Sequence, residues 1–221
     1  MIELINIAKS FQDGENRINH VLRGLSLHVN DGEFVAIKGA SGAGKTTLLN
    51  ILGTLLKPDS GTYKLAGEDL TAAGIDLAAI RNAKIGFVFQ DHRLMPQFDV
   101  LQNILLPTLA AKPGSTEEEE AYAQKLMELT HIASLAHQFP ATLSGGEASR
   151  VAVCRALIMK PSVLLADEPT GQLDRENALN IAKLLADVNK ELHTTIVMVT
   201  HSDEVSSVAD RVLLLKEGKI A

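Results

Sequence analysis

Eight residues, Gly39-Ala40-Ser41-Gly42-Ala43-Gly44-Lys45-Thr46, have the types and spacing that grip a chain of phosphates. Glycines let successive backbone N–H groups curl around one anion, the lysine reaches the β- and γ-oxygens, and the threonine hydroxyl can ligate Mg²⁺. Thr47 adds a contact to the α-phosphate. Far along the chain, an apolar run over residues 163–166 ends in two carboxylates, Asp167 and Glu168. An aspartate at the C-terminal edge of a strand beside such a loop is placed to hold Mg²⁺; the next residue points the other way and can serve as general base for the attacking water. Taken alone, Asp-Glu after a strand is only a polar loop start, and the glycine-rich loop gives the pair its meaning. His201 follows another expected strand, residues 196–200, at the kind of edge where ligands of open α/β sheets gather.

A third cluster, Leu143-Ser144-Gly145-Gly146-Glu147, opens a helix in an unusual way. Ser144 as N-cap and Glu147 three residues on form a capping box, so a helix is expected over 144–159. Each glycine in its first turn costs about 1 kcal/mol relative to alanine, so folding alone gains nothing from the pair. What the pair offers is bare N–H groups at the positive end of a helix dipole, open to an anion.

These groups need elements to carry them. Residues 2–7 and 25–29 alternate apolar and polar as half-buried strands do, and Asp31-Gly32 before residues 33–38 reads as a hairpin turn, so the chain opens as antiparallel β. Short apolar runs at 34–37, 85–89, 163–166, 196–199 and 212–215 read as strands buried on both faces. Helical segments at 45–52, 175–192 and 202–208 lie between several of them, which implies βαβ units and a mostly parallel sheet. Residues 90–159 read as helices only, over 100–110, 116–130 and 144–159. Glu117 to Glu120 form a solvated helix start that the dipole favours. The expected fold is a single α/β domain over 1–221: a P-loop core of 1–89 and 160–221 with an N-terminal antiparallel β part, and an inserted all-helical subdomain of 90–159.

Composition narrows the function further. A hydrophobic content of 46 % supports a real core, while a net charge of -6 without a Lys/Arg cluster argues against nucleic acid as partner. No apolar run approaches the roughly 18 residues a bilayer span requires and no signal peptide is evident, so the chain is expected to be soluble and not membrane-spanning. Cys154, the single cysteine, is expected to be a small core residue, in keeping with a reducing cytosol. The histidines other than His201 show no metal-ligand spacing, so no zinc site is expected. Asn189-Lys190-Glu191-Leu192 superficially matches the guanine-reading N-K-x-D, but it lacks the aspartate and lies in an expected helix.

Taken in order, the phosphate loop, strand-end Gln90, Leu143 to Glu147, Asp167-Glu168, Gly171-Gln172-Leu173-Asp174 and His201 resemble the ATPase subunit of an ABC transporter. The resemblance covers residues 11–218. It implies a head-to-tail homodimer sandwiching two ATP molecules with Mg²⁺, each bound by the phosphate loop of one subunit and the signature Ser144, Gly145, Gly146 and Glu147 of the other. It further implies that Phe11 stacks on adenine, Gln90 senses Mg²⁺ and the attacking water, Glu168 is the base, His201 contacts the γ-phosphate and Asp174 couples the two sites. The runs 32–37, 85–90, 143–147 and 166–171 are most similar to the lipoprotein-release, macrolide-export and cell-division branch. Departures from the family pattern are Phe11 for tyrosine, Gln172 for asparagine, Ser202 for aspartate, and Ala148-Ser149 where longer polar residues are usual. Two roles follow from the resemblance. One is a motor for a separate membrane permease, held through it at the inner face of the cell membrane and docked through residues 91–103; the other is an ATP-gated regulatory module that moves no solute.

Overall fold

The computed structural model describes residues 1–13, 17–110 and 114–221. Its strands are β1 (Ile2–Asp13), β2 (Arg17–Val29), β3 (Phe34–Lys38), β4 (Ser60–Leu65), β5 (Glu68–Asp69), β6 (Ile85–Val88), β7 (Val163–Asp167), β8 (Thr195–Val199), β9 (Arg211–Lys216) and β10 (Lys219–Ile220). Its helices are α1 (Lys45–Leu52), α2 (Leu77–Lys84), α3 (Val100–Leu105), α4 (Glu117–Leu129), α5 (Gly145–Leu157), α6 (Arg175–Leu192) and α7 (Asp203–Ser206). An antiparallel sheet runs β2-β1-β4-β5, and a second sheet runs β10-β9-β3-β8-β7-β6. In the second, every pairing from β9 to β6 is parallel, and only β10 folds back antiparallel.

The continuous apolar runs are explained by the strand period of two. Val35 and Ile37 of β3, Val163 and Leu165 of β7, and Val197 and Val199 of β8 pack into a core shared with α1 and the antiparallel sheet. Their alternates Phe34, Ala36, Leu164, Ala166, Ile196 and Met198 pack on the other face, in one core with α3, α4, α5 and α6. The β9 run does not follow this rule. Leu213 and Leu215 face the first core, but Val212 and Leu214 are 46 % and 47 % exposed, because this strand lies beyond the helices that cover the opposite face of β3, β7 and β8.

Asp31-Gly32 is not a hairpin turn. It carries the chain from β2 in one sheet to β3 in the other, because β2 already pairs with β1 from Ile2↔Val29 to Asp13↔Arg17. The crossing is held from a distance: Gly32 N–H donates to Thr195 Oγ1 at 2.9 Å, and Asn189 Nδ2 donates to Gly32 O at 2.8 Å and to Thr194 O at 2.9 Å. Asn189 is therefore a buried structural tie, which removes any guanine-reading role.

Between Gln90 and Met159 the described residues form helices and turns without a strand. The helix expected over 100–110 divides into α3 and a 3₁₀ turn, Leu106–Ala110, because Pro107 has no N–H to continue the α ladder. The helix expected over 202–208 shortens to α7, capped by Ser202, whose Oγ accepts from Val205 N–H at 3.3 Å. β4, β5 and α2 are not expected from the sequence; α2 fully buries none of its residues, is capped by Asp76 accepting from Ala78 and Ala79 N–H, and packs Leu77 and Ile80 against the core. Cys154 is fully buried against Thr130, and burial pushes its thiol up to about 12, so it is a core residue without nucleophilic character. Among the described residues, no helix is long and apolar enough to cross a membrane.

Candidate nucleotide site

The glycine-rich loop leaves β3 and enters α1 through Gly44, whose φ of 99° a side chain would resist. A Cβ there would also stand 2.9 Å from Val21 Cγ1, so glycine lets the loop lie directly on β2. Lys45, the first residue of α1, is 8 % exposed; its Nζ donates to Gly39 O at 2.8 Å and Ala40 O at 3.2 Å, and lies 3.8 Å from Glu168 Oε1. The ammonium is thus held in the concavity that a phosphate chain would occupy.

A cavity of about 600 Å³ opens on this loop. One wall is Ser41, Gly42, Gly44, Lys45, Thr46 and Thr47; a second is Phe11, Asn19 and Val21; Glu168 and His201 close the far side. Phe11 and Asn19 are cross-strand partners in β1 and β2, so the antiparallel sheet places the aromatic ring over the cavity. The ring is 41 % exposed, with Lys9 Nζ 5.6 Å from its centroid. The sequence pattern gave no warning of Asn19 and Val21, since they reach the site only through the β1–β2 pairing.

β7 delivers the two carboxylates, with β8 between it and β3. Burial, then the neighbouring charge of Glu168, pushes the Asp167 carboxyl above the usual carboxylate range, while Lys45 and a hydrogen bond with Thr46 pull it back. Glu168 stands in the left-handed region at φ 44°, fixed by its N–H donating to Val199 O at 3.0 Å. For a residue with a side chain this conformation is strained, on the order of 1 kcal/mol, and such strain is typical of groups held for a task. Glu168 Oε2 lies 3.1 Å from His201 Nδ1. Thr46 and Asp167 offer hydroxyl and carboxylate oxygens, the hard donors Mg²⁺ prefers. Among the described residues no three His, Cys, Asp or Glu side chains gather as a self-contained metal site, so Thr46 and Asp167 suit an ion whose shell is completed by phosphate oxygens and water.

Gln90 is not part of the cavity wall. It is exposed one residue beyond Phe89, and its amide leans on Gly171, where a Cβ would meet Nε2 at 3.0 Å. Ser144, Gly145, Gly146 and Glu147 also lie outside the cavity. Their capping box forms as expected: Ser144 N–H and Oγ each donate to Glu147 Oε2 at 2.7 Å, and Glu147 N–H donates to Ser144 Oγ at 3.3 Å. These bonds from Ser144 hold the Glu147 carboxyl below its ordinary value. Gly145 has a packing reason to be glycine, because a Cβ would come within 3.0 Å of Leu173 Cδ2; Gly146 has only ordinary contacts, the nearest 3.7 Å away. Asp174 caps α6, accepting from Asn177 N–H at 3.0 Å and Nδ2 at 2.6 Å.

A parallel sheet that feeds a phosphate-gripping loop from one strand and an acid pair from another defines a P-loop nucleoside triphosphatase. Within that class, residues 22–171 match the family model described as ABC transporter, and the chain belongs to that family. It is 41 % identical over its whole length to the lipoprotein-releasing system ATP-binding protein LolD of Geobacter metallireducens, covering 97 % of that protein. It is 43 % identical, again over its whole length, to the macrolide export ATP-binding/permease protein MacB of Rhodopirellula baltica, but spans only 32 % of it. The fold superimposes with a TM-score of 0.88 and 37 % identity on the ATP-binding cassette MJ0796, solved as a dimer in a post-hydrolysis state with ADP and Pi; all of this chain and 96 % of that one are covered.

Proposed function

We propose that this chain hydrolyses ATP as the motor subunit of a transporter in the lipoprotein-release and macrolide-export branch, and that two copies close head to tail around two ATP molecules. The observation that carries the reading is the separation within one chain of two anion-ready surfaces: the loop of Lys45 lines the cavity, and the Ser144 helix start does not. A second copy brings them together. In this reading Gly39 to Thr47 bind the phosphates, Phe11 stacks on adenine, and Thr46 and Asp167 hold Mg²⁺, which screens the phosphate charge. Glu168 takes the proton of the attacking water, and its contact with His201 keeps the carboxylate turned toward the cavity. His201 would steady the γ-phosphate, Gln90 would sense the ion and the attacking water, and Asp174 would carry the state of one site to the other. Ser144, Gly145 and Gly146 would approach the γ-phosphate from the partner.

Residues 90–159 act as the helical unit that carries the signature. A membrane permease would dock beside the loop after Gln90, where a cavity of about 500 Å³ between α2, β6 and α5 is lined by Arg81, Phe89, Arg93 and Arg155. Docking there would hold the chain at the inner face of the membrane. Glu168→Gln tests the chemistry: steady-state hydrolysis is expected to fall about 10² to 10⁴-fold with ATP binding retained. Hydrolysis at the original rate would overturn the assignment of the base.

A further inference from the structure

The loop that carries Gln90 and the helix that opens with the signature are tied by a buried side-chain pair that the chemistry above leaves unused. His92 Nε2 lies 2.7 Å from Ser149 Oγ, and Ser149 Oγ lies 2.9 Å from Gly145 O. His92 is 9 % exposed and Ser149 is fully buried. Ser149 has one hydroxyl proton; with that proton donated to Gly145 O, His92 donates from Nε2 to the hydroxyl oxygen. A continuous chain of donors then runs from the Gln90 loop to the first residue of α5.

The loop is a tight turn in which His92 N–H donates to Phe89 O at 3.1 Å and Arg93 N–H to Asp91 O at 2.6 Å. His92 and Arg93 both take left-handed backbone conformations, with φ of 56° and 49°, which residues with side chains adopt only when their surroundings impose it. Part of what holds it comes again from α5: Arg155 Nη2 donates to His92 O at 2.5 Å and Nη1 to Arg93 O at 2.6 Å. Ser149 and Arg155, nearly two turns apart on one helix, therefore hold residues 92 and 93 from two sides. A shift of α5 must carry the loop, and Gln90 with it.

We propose that His92 and Ser149 are positioning residues that couple the two nucleotide sites, by locking the Gln90 loop of each subunit to the signature helix that the same subunit presents to its partner's ATP. This rests on the head-to-tail reading above. In that dimer the signature of one chain serves the partner's nucleotide, while its Gln90 serves its own. The hydrogen-bonded pair makes the seating of the first a condition for the placement of the second. It also gives Ser149 a task on the inner side of α5, away from the partner.

The experiment compares the full chain as Ser149→Ala, His92→Leu, both together, and His92→Gln, which keeps an N–H donor near the Nε2 position. The readouts are steady-state hydrolysis against ATP concentration, ATP affinity of the monomer, and melting temperature. Ser149→Ala and His92→Leu are expected to lower kcat by up to about tenfold, as loss of one hydrogen bond allows, and to bring the Hill coefficient for ATP toward 1 with monomer affinity unchanged. The double variant should lose no more than either single one, and His92→Gln should recover most of the loss. An unchanged kcat and Hill coefficient would overturn the proposal. So would losses that add in the double variant, or a fall in melting temperature that His92→Gln shares while cooperativity stays intact. Glu168→Gln, measured alongside, separates the two levels: if it still hydrolyses ATP the site assignment falls, whereas if it is dead and the pair variants behave as the unaltered chain, only the coupling falls.

Discussion

At Asp167 two demands oppose each other. In the role proposed for it, a ligand for Mg²⁺, the carboxyl has to be ionised, yet the side chain is partly buried beside Glu168, and both factors favour its neutral form. A carboxyl whose folded-state value is raised binds its proton more tightly in the native chain than in the unfolded one. The stability it contributes is therefore present at low pH and is lost as pH rises through the folded value. Asp167→Asn keeps the neutral state at every pH, so without nucleotide this variant is expected to melt higher than the original chain at pH 7 to 8. The difference should shrink as pH falls below the unfolded aspartate value of about 3.9. Thermal melts across pH would check this; equal melting temperatures at pH 8 would mean that the site stores no such strain. Asp174 shows the reverse balance. Its exposed carboxylate accepts two bonds from Asn177 and sits below the usual carboxylate range, and Asp174→Ala is expected to lower the urea midpoint of unfolding through the lost N-cap.

At the scale of elements, β6 meets α5 in a close backbone joint. A Cβ on Gly86 would lie 2.2 Å from the carbonyl oxygen of Ala156, a backbone atom with no rotamer to move away. Gly86→Ala is thus expected to destabilise the chain by about 1 to 3 kcal/mol, the usual range for overpacking, and to push α5 off the sheet. Urea unfolding would test the magnitude. Which elements the sequence announced follows from how each is stabilised. α1, α6 and the strands β3, β6, β7 and β8 are built on deep cores, so their apolar periodicity is dense and their limits fall within a residue or so of expectation. β4, β5 and α2 are short, with only a few apolar residues turned to the core, so their periodic trace is too brief to stand out in the sequence. Asp31-Gly32 has good hairpin chemistry but the wrong partner, because strand pairing is decided by β1, which lies earlier in the chain. Site residues follow the same division. Lys45, Thr46, Asp167, Glu168 and His201 sit at strand ends and helix starts, where local signals are strong. Asn19, His92 and Ser149 acquire their places only through contacts between distant segments, and no local pattern could reveal them.

For the whole molecule, the central proposal is that one chain carries two halves of two different sites. Burial of the Ser144 helix start against its own cavity would have made the monomer complete; instead the signature stands apart from it. Hydrolysis should therefore rise more steeply than linearly with protein concentration while the monomer predominates. The decisive measurement is the molar mass of the Glu168→Gln chain with and without Mg²⁺-ATP, by light scattering on size-exclusion chromatography, in the presence and absence of Gly146→Asp. Glu168→Gln alone is expected to double in mass on adding ATP, and the Gly146→Asp combination to stay monomeric while its ATP affinity remains within about twofold, because a new carboxylate at the helix start repels the partner's phosphate. A combination that dimerises normally, or one that loses ATP binding as a monomer, would contradict the claim that the signature completes a site on the other subunit.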